Sequence, residues 1–423
     1  MLSRSLQLAG ALLCLSTAAH ASDCTGTSTG RVPLNDLGSG MYLGVQGGLY
    51  LGGLNSRPSS HEAAGIAIAQ SLVPLDTLGL PDPVNGRVVL VSIGMSNATL
   101  EFRRFVLKSD SDISRLPSTR AIDCAVGGQA ANVIDDPTVA YWDSVATRLR
   151  GHGSAPLQAQ VVWIKEADAG PSGGFAASSE SLAVHLASIM NIIKLKLPNV
   201  KLAYFTSRIY AGYATTTLNP EPYAYESGFA VRRVIERQLA GDPALNHDPN
   251  VGPVRAPWLS WGPYLWADGL TPRSDGLTWT CSEFQTDGTH PATAAQLKIA
   301  DSLLVFFQRD VTTAPWYRGG GTVAVGPART GQGATISASP NPTMGSNTFE
   351  VRVASGLAWQ LEVIDATGRI LHRAAGSGSG AMQRVLWDPS RMGSRVLSPG
   401  IYWARLRAGN EQVASRFVRL GSN

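Results

Sequence analysis

Two apolar patterns alternate along most of the chain. Continuous apolar runs bounded by Gly, Pro or Asn predict buried strands at Arg87–Ile93, Ala121–Val126, Gln158–Ile164 and Val200–Phe205. Apolar residues at helical spacing predict helices at Ser178–Leu197, Pro222–Leu239 and Pro291–Phe307. Wholly apolar strands that alternate with helices are typical of a parallel sheet covered on both faces. We therefore expect a three-layer α/β domain with a doubly wound parallel sheet.

The pattern changes after Pro315. Arg318–Gly333 contains six glycines and few large apolar side chains, which is typical of a linker. Short alternating segments follow, at Thr348–Val353, Trp359–Ile364, Arg384–Trp387, Ile401–Leu406 and Val413–Leu420. Short strands without helices predict a small β-sandwich. The predicted organisation is an α/β domain over residues 22–315, a linker over residues 316–336 and the sandwich over residues 337–423.

Composition and charge narrow the class of protein. The chain is 44% hydrophobic and only 16% charged, which excludes a disordered chain. Its formal net charge is +4 and no Lys/Arg run exceeds two residues, so we expect no nucleic-acid partner. There is neither a CxxC nor an HExxH motif and the His residues are scattered, so we expect no metal site and no cofactor.

The first residues have the pattern of a signal peptide. A basic residue, an apolar stretch and a small-x-small cleavage site follow one another within Met1–Ala21. The apolar stretch is shorter than the ~20 residues that span a bilayer, so we expect secretion and no transmembrane helix in the mature chain. Cys24, Cys124 and Cys281 remain after cleavage. One disulfide can form among them in an oxidising compartment, and the sequence leaves the pair open.

The first candidate for chemistry is Gly94-Met95-Ser96-Asn97, which directly follows the first predicted strand. Sites in open parallel sheets lie beyond the carboxyl ends of the strands. With a helix expected through Leu100–Phe105, Ser96 lies at a strand-to-helix turn, near the positive end of a helix. The alternative is that Ser96 only caps this helix, because Ser and Asn are both favoured caps.

The second candidate is Asp287-Gly288-Thr289-His290-Pro291, which precedes the last predicted helix. The spacing lets Asp287 contact one imidazole nitrogen of His290 while the other nitrogen points outward. With a nearby serine, this arrangement is that of acyl-transfer catalysis. The alternative is an Asx-turn followed by a capping histidine.

In this order, the motifs resemble those of the SGNH (GDSL-like) hydrolases and, within that family, the carbohydrate-esterase-like members. The resemblance covers Gly86–Phe307 and implies a flavodoxin-like sheet. It implies that Ser96 is the nucleophile, that His290 is the base and that Asp287 orients His290. It also assigns a glycine of the oxyanion hole to Gly128, with Gly127 as the alternative.

The third sequence block departs from the family. The family has Gly-x-Asn-Asp or Gln-Gly-Glu after the third strand, whereas this chain has Trp163-Ile164-Lys165-Glu166-Ala167-Asp168. The family's Asn side chain completes the oxyanion hole with the backbone N–H groups of the serine and glycine. We expect either that Lys165 replaces this donor and is held by Glu166, or that the two residues form a solvated pair.

Further polar and aromatic residues are expected at the same edge of the sheet. The candidates for contact with a substrate are Asn97, Gln129, Glu166, Arg208, Tyr210 and Trp266. Aromatic side chains with Arg and Glu suit a sugar or another polar ester. The alternative is that the aromatic side chains pack as the core of the loops.

The C-terminal segment carries a second resemblance. Ser339-Pro340-Asn341-Pro342 and the later motifs Val363–Arg369, Trp387-Asp388 and Leu397–Tyr402 resemble the sorting domain of type IX secretion and the Ig-like domain of flagellar hook-capping proteins. The resemblance implies an Ig-like sandwich, the secretion machinery as a partner, and a location outside the cell or at its outer surface in a bacterium. A passive spacer is the alternative.

The expected function is that of a secreted serine ester hydrolase that removes O-acyl groups, such as acetyl, from carbohydrate. Its expected substrate is a small-molecule or polysaccharide ester. The alternative is a surface glycan-binding or adhesion protein that keeps the hydrolase fold without turnover. This alternative is supported by the departure at Lys165 and Glu166, by the aromatic loops and by the resemblance of the C-terminal segment to a sorting domain.

Overall fold

The computed structural model describes residues 22–319, 334–339, 341, 343, 345–365, 369–389, 398, 400–409 and 411–420. The chain forms two compact units, of which the first ends at Thr322 and the second begins at Val323. The predicted signal peptide, residues 1–21, and residues 320–333 of the predicted linker lie outside the described residues. The domain boundaries therefore stay a prediction.

The first unit is built from eight α-helices and seven strands among its described residues. The helices are α1 (Leu34–Leu37), α2 (Ser59–Gln70), α3 (Ser96–Asp110), α4 (Ala131–Ile134), α5 (Ala140–Gly151), α6 (Gly174–Lys196), α7 (Tyr223–Leu239) and α8 (Thr293–Arg309). The strands are β1 (Met41–Tyr42), β2 (Val45–Gln46), β3 (Val88–Gly94), β4 (Thr119–Ile122), β5 (Ala159–Lys165), β6 (Leu202–Phe205) and β7 (Trp258–Trp261). Among the described helices, none has the length and apolarity needed to cross a membrane.

Five of these strands form one parallel sheet in the order β4-β3-β5-β6-β7. Every residue of β3 and β5 is buried, because helices cover both faces of the sheet. Helix α3 packs against α8, and α6 packs against α7. The predicted α/β class with a parallel sheet is confirmed, and its order is that of the flavodoxin-like doubly wound folds.

The edge strands differ from the sequence prediction. Strand β4 covers Thr119–Ile122 rather than Ala121–Val126, because the N–H groups of Cys124 and Ala125 donate to Ser92 Oγ instead of to a neighbouring strand. Strand β7 was not predicted at all. Its four residues, Trp-Leu-Ser-Trp, are too short a run to separate from the aromatic stretch that follows.

The second unit consists of two antiparallel sheets, in the orders β12-β9-β8 and β11-β10-β13-β14. Its strands are β8 (Thr335–Ser339), β9 (Asn347–Arg352), β10 (Ala358–Asp365), β11 (Ile370–Ser377), β12 (Met382–Trp387), β13 (Gly400–Ala408) and β14 (Glu411–Arg419). Phe349 and Trp387 of one sheet pack against Phe417 of the other. The predicted β-sandwich is confirmed, with β8 and β11 in addition to the five predicted segments.

Ordered residues lie within both ends of the segment predicted as a linker. Trp316 and Tyr317 are buried in the core of the first unit, where the Thr119 hydroxyl donates to Trp316 O and the Leu116 N–H to Tyr317 O. At the other end, Thr335 and Ile336 belong to strand β8. The sequence pattern did not predict these ordered residues, because each end is too short to show a periodicity and lies next to a glycine-rich stretch.

The N-terminal segment Asp23–Gly30 is attached to the loops near the end of the first unit. A disulfide joins Cys24 to Cys281, and Cys124 is a buried free thiol. The buried carboxylate of Asp268 accepts hydrogen bonds from Ser28 Oγ and from the N–H groups of Thr29 and Gly30. The N-terminal segment is thus bound to Asp268 and Cys281, which precede the Asp287–His290 turn in the chain.

Removal of this crosslink is expected to destabilise the protein by about 2–5 kcal/mol, because the disulfide restricts the unfolded chain. The two cysteines are separated by 257 residues, so the restriction is large. Urea unfolding of the Cys24→Ser/Cys281→Ser variant measures the loss. A reducing agent should lower the midpoint of the parent protein and leave that of the double variant unchanged. Equal midpoints for the double variant and for the parent protein with its disulfide intact would contradict the prediction.

Candidate active site

The candidate nucleophile lies where strand β3 turns directly into a helix. Strand β3 ends at Gly94 and helix α3 begins at Ser96. A Cβ atom on Gly94 would lie 2.5 Å from both Lys165 O and Ala98 Cβ, so only glycine permits this close turn. Because β3 lies between β4 and β5, where the strand order reverses, the turn occupies the switch point at which α/β sheets bind ligands.

The structure brings Ser96 together with the two other members of the predicted set. The Oγ atom of Ser96 lies 2.7 Å from Nε2 of His290. The Nδ1 atom of His290 contacts Oδ2 of Asp287 on its other side. The chain Ser–His–Asp is therefore continuous. An Nδ1–H that donates to the carboxylate leaves Nε2 free to accept the Ser96 hydroxyl proton.

Hydrogen bonds keep Asp287 charged. Burial by itself raises the pKa of this carboxyl, but the His290 N–H, the His290 ring and the Thr289 N–H outweigh it and lower the pKa below 3.8. Both N–H groups donate to Oδ1 at 3.0 Å. An ionised Asp287 orients the imidazole and stabilises the imidazolium that forms when His290 takes a proton.

The turn that carries His290 is held from two sides. Asn97 Nδ2, at the start of α3, donates to Thr289 O at 3.1 Å. On the other side, a Cβ on Gly288 would lie 1.9 Å from Tyr213 O. Asn97 was predicted to contact substrate, but only 1% of it is exposed. Its role is instead to fix the turn, because its amide is used inside the protein.

Exposed glycines lie beside the nucleophile. A Cβ on Gly127 would lie 3.7 Å from Ser96 Cβ, whereas nothing lies within 4 Å of the same position on Gly128. The N–H groups of Ser96, Gly127 and Gly128 have no acceptor among the described residues. These contacts favour Gly127, the alternative in the sequence analysis, as the donor beside Ser96. Gln129, next along this loop, remains partly exposed.

Lys165 does not face the candidate oxyanion site. Its Nζ lies 2.6 Å from Oε1 of Glu101, and both side chains are fully buried. Burial lowers the pKa of Lys165 and raises that of Glu101, while their mutual attraction opposes both shifts. The predicted oxyanion role of Lys165 is therefore wrong. The sequence signal for this partner was a Glu on the apolar side of α3, next to Phe102.

Glu166 does not hold Lys165 either. Its Oε2 accepts only the N–H of Ala167, at 3.3 Å, and its Oε1 is buried without a partner among the described atoms. Burial raises the pKa of this carboxyl well above 4.5. Glu166 is thus neither a solvated partner of Lys165 nor an exposed contact for substrate.

Two predicted aromatic contacts are core residues. Tyr210 and Trp266 are fully buried; the Tyr210 hydroxyl donates to Gly26 O at 2.6 Å, and Trp266 Nε1 donates to Glu221 Oε1 at 2.8 Å. They pack as loop core, which was the alternative interpretation. Arg208 is also buried, with 2% of its surface exposed. Of the six predicted contacts, only Gln129 has an accessible side chain.

No family model and no curated protein matches the chain. The solved structures that are similar to parts of this chain include dimeric latent PorU from Porphyromonas gingivalis. That similarity covers 21% of this chain and 9% of that chain, at 25% identity and a TM-score of 0.19. PorZ, described as a surface component of the type-IX secretion system of the same organism, is 18% identical over 20% of this chain and 11% of that chain (TM-score 0.17). A GDSL-like lipase from Bacteroides thetaiotaomicron is 11% identical over 57% of this chain and 94% of that chain (TM-score 0.25). The chain thus spans about a tenth of the length of PorU and PorZ. Because all of these TM-scores are low, the fold is described from the strand order of this chain itself.

Proposed function

We propose that this protein is a serine ester hydrolase that removes O-acyl groups from carbohydrate. The observation that carries the proposal is the continuous Ser96–His290–Asp287 chain at the carboxyl end of strand β3. Three side chains from two distant segments meet there in the order that acyl transfer requires. Structural capping of α3 alone does not account for the contact between Ser96 and the histidine.

The geometry supports a two-step reaction. Ser96 Oγ attacks the acyl carbon while His290 Nε2 takes the hydroxyl proton, and the carbonyl oxygen becomes an oxyanion. The N–H groups of Ser96 and Gly127, which have no acceptor among the described residues, are the proposed donors to this charge. The tetrahedral intermediate releases the alcohol, which receives the proton from His290. Water, activated by His290, then attacks the acyl-enzyme and releases the acid.

Accessibility around the nucleophile supports an ester of a bulky alcohol. Gly127 and Gly128 are exposed, and Ser96 and His290 are partly exposed. A polysaccharide chain that carries a short acyl group can approach such a surface. The resemblance of G-x-S-N and D-x-x-H to the motifs of carbohydrate-esterase-like proteins supports the same substrate class.

Secretion to the outer surface of a bacterium, or beyond it, is part of the proposal. The signal-peptide pattern of residues 1–21 supports export, and the Cys24–Cys281 disulfide supports an oxidising compartment. The C-terminal β-sandwich, with its resemblance to a type IX sorting domain, supports the secretion machinery as a partner.

Two substrates test the proposal on the purified chain. A short-chain nitrophenyl ester reports any serine esterase, and acetate release from an O-acetylated polysaccharide reports the proposed substrate class. Turnover of both is the expected result. Turnover of the aryl ester alone would contradict the carbohydrate assignment. No turnover of either, with no labelling by a fluorophosphonate, would leave a glycan-binding protein without catalysis.

A further inference from the structure

The buried carboxylate of Asp123 binds donors from a strand, a helix and a loop. Asp123 directly follows strand β4, and only 8% of its surface is exposed. Its Oδ1 accepts the Ser92 hydroxyl at 2.7 Å and the Ala125 N–H at 3.2 Å. Its Oδ2 accepts the Thr99 hydroxyl and, at 3.0 Å, the Nε–H of Arg103. One side chain thus joins strand β3, helix α3 and the loop that follows β4.

Two of these donors lie on either side of the nucleophile in the chain. Ser92 belongs to β3 and comes four residues before Ser96, whereas Thr99 lies in the first turn of α3, three residues after it. Both hydroxyls donate to the same carboxylate. Because the strand and the helix are both bound to one group, Asp123 holds the strand-to-helix turn that carries the serine.

The same contacts hold the start of the loop that carries Gly127. Ser92 Oγ accepts the N–H groups of the two residues after Asp123, at 2.9 and 3.2 Å. The next N–H along the chain, that of Val126, donates to Gly94 O at 2.8 Å. Gly127 follows, and a Cβ at that position would lie 3.7 Å from the Cβ of the nucleophile. Every residue between Asp123 and Gly127 is therefore bound to strand β3.

We propose that Asp123 is a positioning residue that fixes the N–H of Gly127 relative to Ser96 Oγ. The inference rests on the proposed esterase function, in which Gly127 donates to the oxyanion. The carboxylate acts through Ser92 and Thr99 and not on the substrate. Because a displacement of about 1 Å costs a catalytic group about 10²-fold in rate, loss of these contacts lowers kcat. KM changes little, since the charge on the oxyanion develops only in the transition state.

Asp123→Ala and Asp123→Asn test the inference on the full chain. Alanine removes both acceptor oxygens, whereas asparagine keeps one oxygen for Ser92 and Ala125 without the charge. We expect kcat for a short-chain aryl ester to fall by about 10²-fold in Asp123→Ala and by less in Asp123→Asn. Rates are expressed per active site, after titration with a fluorophosphonate, so that unfolded molecules do not count. Equal losses in the two variants would show that the charge acts rather than the contacts, and would overturn the inference.

Thr99 provides a second test, because its hydroxyl donates to Asp123. Thr99→Val removes the hydroxyl and keeps the shape of the side chain, and Thr99→Ser keeps the hydroxyl. We expect kcat per site to fall by about 10-fold in Thr99→Val and to stay close to the parent value in Thr99→Ser. The combined variant Thr99→Val/Asp123→Ala should lose no more than Asp123→Ala alone, since both changes break the same contact. Losses that multiply in the combined variant would contradict this route.

A further readout and a control separate positioning from stability. A phenylboronic acid adds to Ser96 Oγ as a tetrahedral anion, so its affinity for Asp123→Ala should weaken together with kcat while KM stays nearly constant. Asp310→Ala is the control, because the Asp310 carboxylate, at the end of α8, also binds a threonine hydroxyl and an arginine; its kcat per site should stay unchanged. Wild-type kcat and boronate affinity per site in Asp123→Ala would overturn the inference. A parent protein that is inactive and is not labelled by the fluorophosphonate would instead overturn the proposed function.

Discussion

Replacement of Ser96 by alanine is expected to lower kcat for an aryl ester by about 10⁶-fold, the loss found when a catalytic triad loses its nucleophile. Its Oγ is the only atom of this set that can form the acyl-enzyme, and it already lies 2.7 Å from the histidine nitrogen that takes its proton. His290→Ala should have a similar effect, because a serine without a base is a weak nucleophile. The steady-state rate and fluorophosphonate labelling measure both losses.

The combination of the two variants makes this prediction specific. Since the triad acts as a unit, Ser96→Ala/His290→Ala should lose no more activity than either single variant. Ser282→Ala is the control, because Ser282 is an exposed serine on the same segment as Cys281 and should keep full activity. If Ser96→Ala retained wild-type activity, or if the double variant lost the product of the two single effects, the assignment would fail.

Replacement of Glu101 by glutamine is expected to lower the free energy of unfolding by about 3–5 kcal/mol. The change leaves the Lys165 ammonium fully buried beside a neutral amide. The pair joins the end of β5 to helix α3, and Lys165 is also the residue opposite Gly94 in the sheet. We therefore expect the loss of this pair to lower esterase activity as well, through the position of Ser96. Urea unfolding measures the first effect.

An exposed pair on the same helix is the control. Lys108, also on α3, contacts Asp301 at 2.7 Å, with 30% and 60% of the two side chains exposed. Asp301→Asn should change stability by no more than about 1 kcal/mol, because solvent screens this pair. The combined variant Glu101→Leu/Lys165→Met should recover most of the stability lost in Glu101→Gln, since it removes both charges. Equal effects of Glu101→Gln and Asp301→Asn would contradict this account.

The sequence was sufficient for features that depend on local patterns. A continuous apolar run identifies β3 because both of its faces are buried. The turn Asp287–His290 was predictable because its hydrogen bonds span three residues. The contact between Ser96 and His290 crosses 194 residues, so residue order alone could only suggest it. The prediction that these two residues meet came from the resemblance to a family.

Other features depend on contacts that no local pattern encodes. Glu101 and Lys165 are 64 residues apart. Because Glu166 directly follows Lys165, the sequence suggests a pair between these neighbours and gives no sign of the partner on helix α3. The sequence suggests that Tyr210 and Trp266 form a binding surface. In the structure their polar atoms instead bind the N-terminal segment and Glu221, and no local pattern shows these contacts. The choice of cysteine pair likewise depends on the fold. It brings Cys24 next to Cys281 and buries Cys124 as a free thiol.

The wide separation of Ser96 and His290 along the chain links the candidate site to the folding of the whole first unit. The serine begins α3, whereas the histidine lies 194 residues later, just before helix α8. A partly folded chain in which β3 to β6 have formed without the segment that carries His290 would have a serine without a base. On the proposed function, esterase activity would therefore report completed folding of this unit, not just formation of its sheet.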